Sequence, residues 1–220
     1  MFEPSRNRPW PAMFALAALT ALLPGLMGSE ALAQGQSLRA SFPGRRIGGG
    51  TRAECASRLL VHLVPTSSVY AAGQPLLLGL LQGPALEPMP LELAFRPYPA
   101  AGGGGGQPPD RALAAAPAGL TLLQLDGLAA PTVWASHYRC GPLAASDDAL
   151  AFAVTTAPPA LSLLLPAADT TAADRSVQLA LAQLQKSCGG SVAREQLARS
   201  FGLEDLLGVG WPAQLPVRCL

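Results

Sequence analysis

The sequence is poor in the residues that usually carry chemistry. Charged side chains make up only 13% of it, against about 25% in typical domains. Histidine occurs twice, as His62 and His137, and the formal net charge is +1. A near-neutral chain leaves no basic footprint, so no nucleic-acid partner is expected. There is no G-K-[ST] phosphate loop, no G-x-S-x-G elbow, no H-E-x-x-H and no pair of cysteines at C-x₂-C spacing. Those absences remove the motif evidence for a nucleotide site, a serine-hydrolase elbow, a zinc protease and a structural zinc centre. No metal and no cofactor are expected. Aromatic residues are 5% of the chain, so any core must be built from leucine, valine and alanine.

What is present begins with an export signal. Arg6 and Arg8 form a basic opening, and an apolar run follows from Ala12 to Leu23. Pro24 and Gly25 break that run, and a short region then ends Ala31-Leu32-Ala33 before Gln34. The order matches a secretory signal, with cleavage expected after Ala33. The run is too short for a bilayer core, which needs about 20 apolar residues. The two arginines are not adjacent, which argues against a twin-arginine route, and Gln34 is not the cysteine that lipid attachment needs. Removing Arg6, Arg8, Glu3 and Glu30 leaves the net charge unchanged. No later run is long enough to span a membrane. The mature protein is therefore expected in the periplasm or outside the cell, by a Sec-type route.

Residues 34–54 read as a basic, Gly-rich arm. Residues 55–166 read as a β domain. Arg58 to Val64, Gln74 to Leu81, Pro90 to Arg96, Leu120 to Leu125, Thr132 to Cys140, Ala149 to Thr155 and Ala160 to Leu165 give seven short strand signals. In the third, Leu91, Leu93 and Phe95 alternate with Glu92, Ala94 and Arg96, which puts one face in a core and the other in water. Trp134, Tyr138 and Cys140 likewise share one face. Seven such strands with turn-rich joins suggest an antiparallel Ig-like β-sandwich. Five consecutive glycines, Gly102 to Gly106, mark the stretch near 97–117 as a disordered loop inserted within that domain.

After Pro166 the period changes, and residues 167–220 read as a C-terminal helical appendage and tail. Val177, Leu181 and Leu184 lie at helical spacing within Thr171 to Ser187. Asp169 or Thr170 is the expected N-cap, with Gly189 and Gly190 ending the helix. A shorter helix is expected over Ser191 to Phe201, ending at Gly202, with one more turn at Leu203 to Leu207. The Pro-interrupted tail from Gly208 to Leu220 is expected to be irregular.

Four cysteines, Cys55, Cys140, Cys188 and Cys219, in an exported chain read as disulfides, for which three pairings exist. Placement favours Cys55 with Cys140 in the β region and Cys188 with Cys219, tying the tail to the helices.

Gly44-Arg45-Arg46-Ile47-Gly48-Gly49-Gly50-Thr51-Arg52, followed by Cys55, resembles the opening signature of a cyanobacterial family of exported domains of unknown function. A strand ending in a proline-bearing turn, Leu59 to Pro65, and an aromatic strand ending in cysteine, Trp134 to Cys140, extend the resemblance over roughly 41–142. Gly141 stands where the family often has an acidic residue, the glycine loop is an insertion, and Cys188 and Cys219 are additions. The resemblance implies export and a paired Cys55 and Cys140. It implies no reaction.

Arg45, Arg46, Gly48, Gly49, Gly50 and Arg52 form a candidate anion-binding nest, since exposed amides and guanidiniums can hold a carboxylate or phosphate. The competing reading is a Gly-rich turn into the first strand, with the arginines pairing local acids such as Glu54. Either His62 or His137 could in principle be a general base, but a lone strand histidine is more often a structural or surface residue. Asp147 and Asp148, with Ser146, read as a turn, because calcium needs more oxygen ligands. Trp134 and Tyr138 suit a sandwich core as well as a sugar-stacking face. The expectation is a non-catalytic domain that binds a protein or glycan of the cell envelope. The alternative is a hydrolase acting on envelope material through His62 or His137.

Overall fold

The computed structural model describes residues 37–49, 58–98, 108–139 and 158–220. The chain is mainly β, with two mixed sheets and a few helices. Its strands are β1 (Ile47–Gly48), β2 (Leu60–His62), β3 (Val69–Ala71), β4 (Leu76–Gln82), β5 (Leu91–Pro97), β6 (Arg111–Leu113), β7 (Gly119–Leu125), β8 (Thr132–Tyr138), β9 (Ala160–Leu165), β10 (Ser191–Ala193) and β11 (Gln214–Cys219). The helices are α1 (Ala172–Gln185) and α2 (Arg194–Phe201), preceded by a helical turn at 37–41. The first sheet runs β1-β2-β4-β7-β11-β10, and the second runs β3-β9-β8-β5-β6.

Two pairs, β11 with β7 and β3 with β9, are parallel, where the sequence suggested antiparallel pairing throughout. Each arises because a strand invisible in the pattern inserts beside a visible one. Val69–Ala71 is too short to show a period. Gln214–Cys219 is interrupted by Pro216, which argued for an irregular tail. Its ladder to β7 begins only at Val217, opposite Leu120, so the missing N–H of Pro216 breaks no rung. The tail is therefore a strand inside the first sheet. Ser191–Ala193 pairs with it and is strand, not the opening of the second helix. β6 lies within the stretch expected to be a loop and pairs with β5. Ala149 to Thr155 and the five-glycine run lie outside the described residues.

The hydrophobic patterns follow from the layering. On one face of the first sheet, His62, Leu78, Leu80, Thr121 and Leu123 turn toward the second sheet; hydrogen bonds from His62 to Ser136 and Ser162 cross the gap. On the other face lie α1 and α2. With both faces covered, LLLGLLQ of β4 and GLTLLQL of β7 are near-continuous apolar runs, as strands buried on two sides require. Gly79 interrupts the first run because a Cβ there would collide with Leu181 of α1 and Leu63. The second sheet is more exposed at β5, where Leu91, Leu93 and Phe95 are buried and Arg96 is exposed. Trp134 and Tyr138 share the core face of β8, as expected. The outer faces of β3 and β9 are covered by Leu38 and Phe42 from the N-terminal turn.

Val177, Leu181 and Leu184 are the buried stripe of α1, each contributing roughly 1.5–3 kcal/mol by leaving water. The helix starts one residue later than Thr170 would cap it. Thr171 accepts from the Asp174 amide while the Asp174 carboxylate accepts from the Thr171 amide, a reciprocal capping box. Asp174 also ties the helix to β3 and to the N-terminal turn. It is fully buried and accepts from the Ala71 amide and, at 2.6 Å, from Arg39. α2 ends at Gly202 with φ +59°, the left-handed position glycine fills without strain.

Candidate functional site

The sequence-selected residues do not meet in one place. His62 is 0% exposed between the sheets. Its Nδ1 shares a 2.8 Å hydrogen bond with Ser162 Oγ and its Nε2 a 2.9 Å bond with Ser136 Oγ. Its ring stacks on Trp134, and burial holds its pKa well below that of a free imidazole. Both ring nitrogens are engaged, no carboxylate is among these partners, and solvent does not reach it. His137 points from the opposite face of β8 into solvent, 3.2 Å from Glu92, which also pairs with Arg139.

The Arg/Gly segment divides in the same way. Arg45 is exposed, and its backbone pairs with Leu161. Arg46 is buried, donating from Nη1 to the Val64 and Phe201 carbonyls and from Nη2 to Gly202. It thereby supplies a cation and donors to the carboxyl end of α2, where orphan carbonyls and the helix dipole favour both. Burial lowers its pKa. A Cβ on Gly48 would strike the Ala160 backbone, and one on Gly49 the Arg58 carbonyl; Gly49 also has φ +92°. Close approach of strands accounts for both glycines. Gly50, Arg52, Cys55, Cys140, Asp147 and Asp148 lie outside the described residues. Cys188 and Cys219 form a disulfide, Cα atoms 5.7 Å apart, as expected from the sequence.

The site the sequence did not disclose is a cleft of about 170 Å³ between α1 and the first sheet. Tyr70, Gln74, Leu77, Gln124, Gln178 and Gln185 line it, with Pro75 and Ala182. The register of β4 and β7 places Leu77 opposite Gln124 on the helix-covered face. Gln178, Ala182 and Gln185 stand at i, i+4 and i+7, one stripe of α1. Gln178 Nε2 donates to the Ala71 carbonyl at 2.7 Å, and Gln185 Nε2 to Gln124 Oε1 at 3.2 Å. Those bonds hold the amides while Gln178 Oε1, Gln185 Oε1 and Gln124 Nε2 take no part in them.

No protein-family model, curated protein or solved structure matches the chain.

The cleft therefore has to be read from its own chemistry. No charged side chain lines it, and neither does a serine, cysteine or histidine. Burial pushes the Tyr70 phenol up, so it stays protonated. Amides and a phenol donate and accept without charge, and Leu77 and Pro75 add apolar surface. Such a lining suits a neutral polar group, a peptide amide or a sugar hydroxyl. Among the described residues no cluster of three or more His, Cys, Asp and Glu could hold a metal ion, and no helix is long and apolar enough to cross a membrane. Two clues were in the sequence. Gln124 interrupts a leucine run, and Gln178 and Gln185 recur at i, i+7 on one helix.

Proposed function

We propose that the protein is an exported, non-catalytic binding domain of the periplasm or cell envelope that seats a protein segment or glycan of the envelope in the glutamine-lined cleft. The observation that carries this reading is the lining itself: converging uncharged donors and acceptors in a concave site with no serine, cysteine, histidine or charged side chain. The signal sequence supports the exported location, and the Cys188–Cys219 disulfide and the described helices are compatible with it. The two facing sheets support a sandwich of the Ig-like kind, in which loops and covering helices rather than the core carry binding. The opening signature supports membership of the exported cyanobacterial family. The hydrolase reading gains nothing from His62, which is sealed in the core, nor from His137, whose described partner is Glu92.

The test compares the mature protein with Ala182→Trp as bait for envelope extracts. Ala182 is exposed on α1, so the indole fills the cleft without entering the core. The wild type is expected to enrich a discrete protein or glycan that the variant loses at unchanged melting temperature. Equal enrichment by both, or none by either, overturns the reading.

A further inference from the structure

A second polar site lies between the sheets, at the end where β7 and β11 face Tyr138 of β8. Gln82 and Thr121 turn inward from the first sheet, and the register places Arg218 beside Thr121 on that same face. Arg58 is 1% exposed. Its Nε donates to the Gly83 carbonyl at 2.8 Å and its Nη2 to the Ala116 carbonyl at 2.5 Å. Its guanidinium lies 5.0 Å from the Tyr138 ring centroid. Arg218 reaches in from the half-exposed side, donating to Gln82 Oε1 at 3.0 Å, Thr121 Oγ1 at 3.4 Å and the Pro117 carbonyl at 3.3 Å. The two guanidiniums thus hold consecutive carbonyls, of Ala116 and Pro117.

Two features of this arrangement are unbalanced. Among the described residues no carboxylate pairs with either arginine. The charge of Arg58, after burial, lowers the pKa of Arg218, and Tyr138 lies in the field of both. Second, Arg58 Nη1 is a buried donor without a hydrogen-bond partner, while the Gln82 side chain is hydrogen-bonded to Tyr138. Leaving one such donor unmade costs about 1–3 kcal/mol, and more when it is charged. An orphaned buried donor in a native structure asks for an ion or water. Two like cations and the orphan N–H of Arg58 together select the ion, because an oxyanion accepts from several donors at once and offsets the like charges.

We propose that this arginine pair between the sheets binds a small oxyanion, a carboxylate or phosphate group, held by Arg58 and Arg218 with Gln82 beside them. The site is independent of the glutamine-lined cleft and stands or falls without it. It differs from the Arg45–Arg52 nest, since Arg46 spends its donors on α2.

The test is titration of the protein with inorganic phosphate and, separately, acetate, against chloride at matched ionic strength. The melting temperature should rise saturably, by roughly 5 °C or more at a hundredfold excess over the midpoint concentration. The larger response identifies the phosphate or the carboxylate class. Arg218→Gln should abolish the saturable part, and Arg218→Lys, which keeps the charge but loses the planar fork, should weaken it about tenfold. A measurement without substitutions guards against a variant that misfolds: the arginine Nε–Hε resonances of Arg58 and Arg218 should shift on phosphate or acetate addition in the unaltered protein. A response equal to that of chloride, or unmoved arginine resonances with both anions, overturns the proposal.

Discussion

The imidazole of His62 lies flat on the indole of Trp134, ring centroids 3.5 Å apart and planes 2° from parallel. The stack joins the two sheets, and Ser136 and Ser162 close both ring nitrogens in the same plane of the core. A neutral imidazole suits this place; a charged one would need an acceptor at each nitrogen and lose solvation. Because burial depresses the folded pKa, the unfolded chain takes up a proton that the folded chain refuses. His62 therefore costs no stability above its unfolded pKa of about 6.5, and stability falls as pH drops below it. Well below that pKa, and for as long as the folded ring stays neutral, the slope approaches about 1.4 kcal/mol per pH unit; the comparison is made at pH 6.5 and pH 5. Urea unfolding at the two pH values measures it. His62→Gln should flatten the dependence, and a wild-type stability equal at both values would show that the ring is not held neutral.

Arg46→Ala should destabilise the fold by about 1–3 kcal/mol or more, because the Val64, Phe201 and Gly202 carbonyls lose their donor in a buried place. Arg46→Lys should recover only part, since one ammonium cannot reproduce the fork. Denaturant midpoints of the three proteins test this. A wild-type midpoint for Arg46→Ala would return the residue to the surface.

Asp174→Ala removes the partner of a largely buried Arg39 and the acceptor for two backbone amides. Breaking such a pair costs about 3–5 kcal/mol, and the capping box goes with it. The expected loss is at least that of any other single carboxylate in the described chain. A loss below about 1 kcal/mol in equilibrium unfolding would contradict the role given to it.

The Cys188–Cys219 bond spans 31 residues of sequence. A loop of that length corresponds to about 3–4 kcal/mol by the chain-entropy estimate. The Cys188→Ser, Cys219→Ser double variant should lose up to that much, and β11 should exchange its amide hydrogens faster than β4. Unchanged exchange in β11 would show that pairing with β7 and β10 suffices.

Local signals carried a good part of this fold. The alternation in β5, the shared face of Trp134 and Tyr138, the apolar stripe of α1 and the stop at Gly202 all depend on neighbours in sequence, and each is where the pattern placed it. β3 and β11 depend on distant partners: Val69–Ala71 is strand because β9 is beside it, and Gln214–Cys219 because β7 is. No window of the chain contains those pairs. The same holds for the candidate sites. Arg46 looked like part of an exposed nest until α2, some 155 residues away, brought its carbonyls to it. The glutamines of the cleft come from β7 and α1 and mean little apart.

The proposed binding in the glutamine-lined cleft is tested most directly by hydrogen exchange on the protein, alone and with whatever envelope fraction it enriches. New protection is expected only in the segments around Tyr70 to Leu77, Gln124 and Gln178 to Gln185, and it should be absent in Ala182→Trp. Protection that spares these segments and falls elsewhere, on the Glu92 and His137 face for instance, would contradict cleft binding.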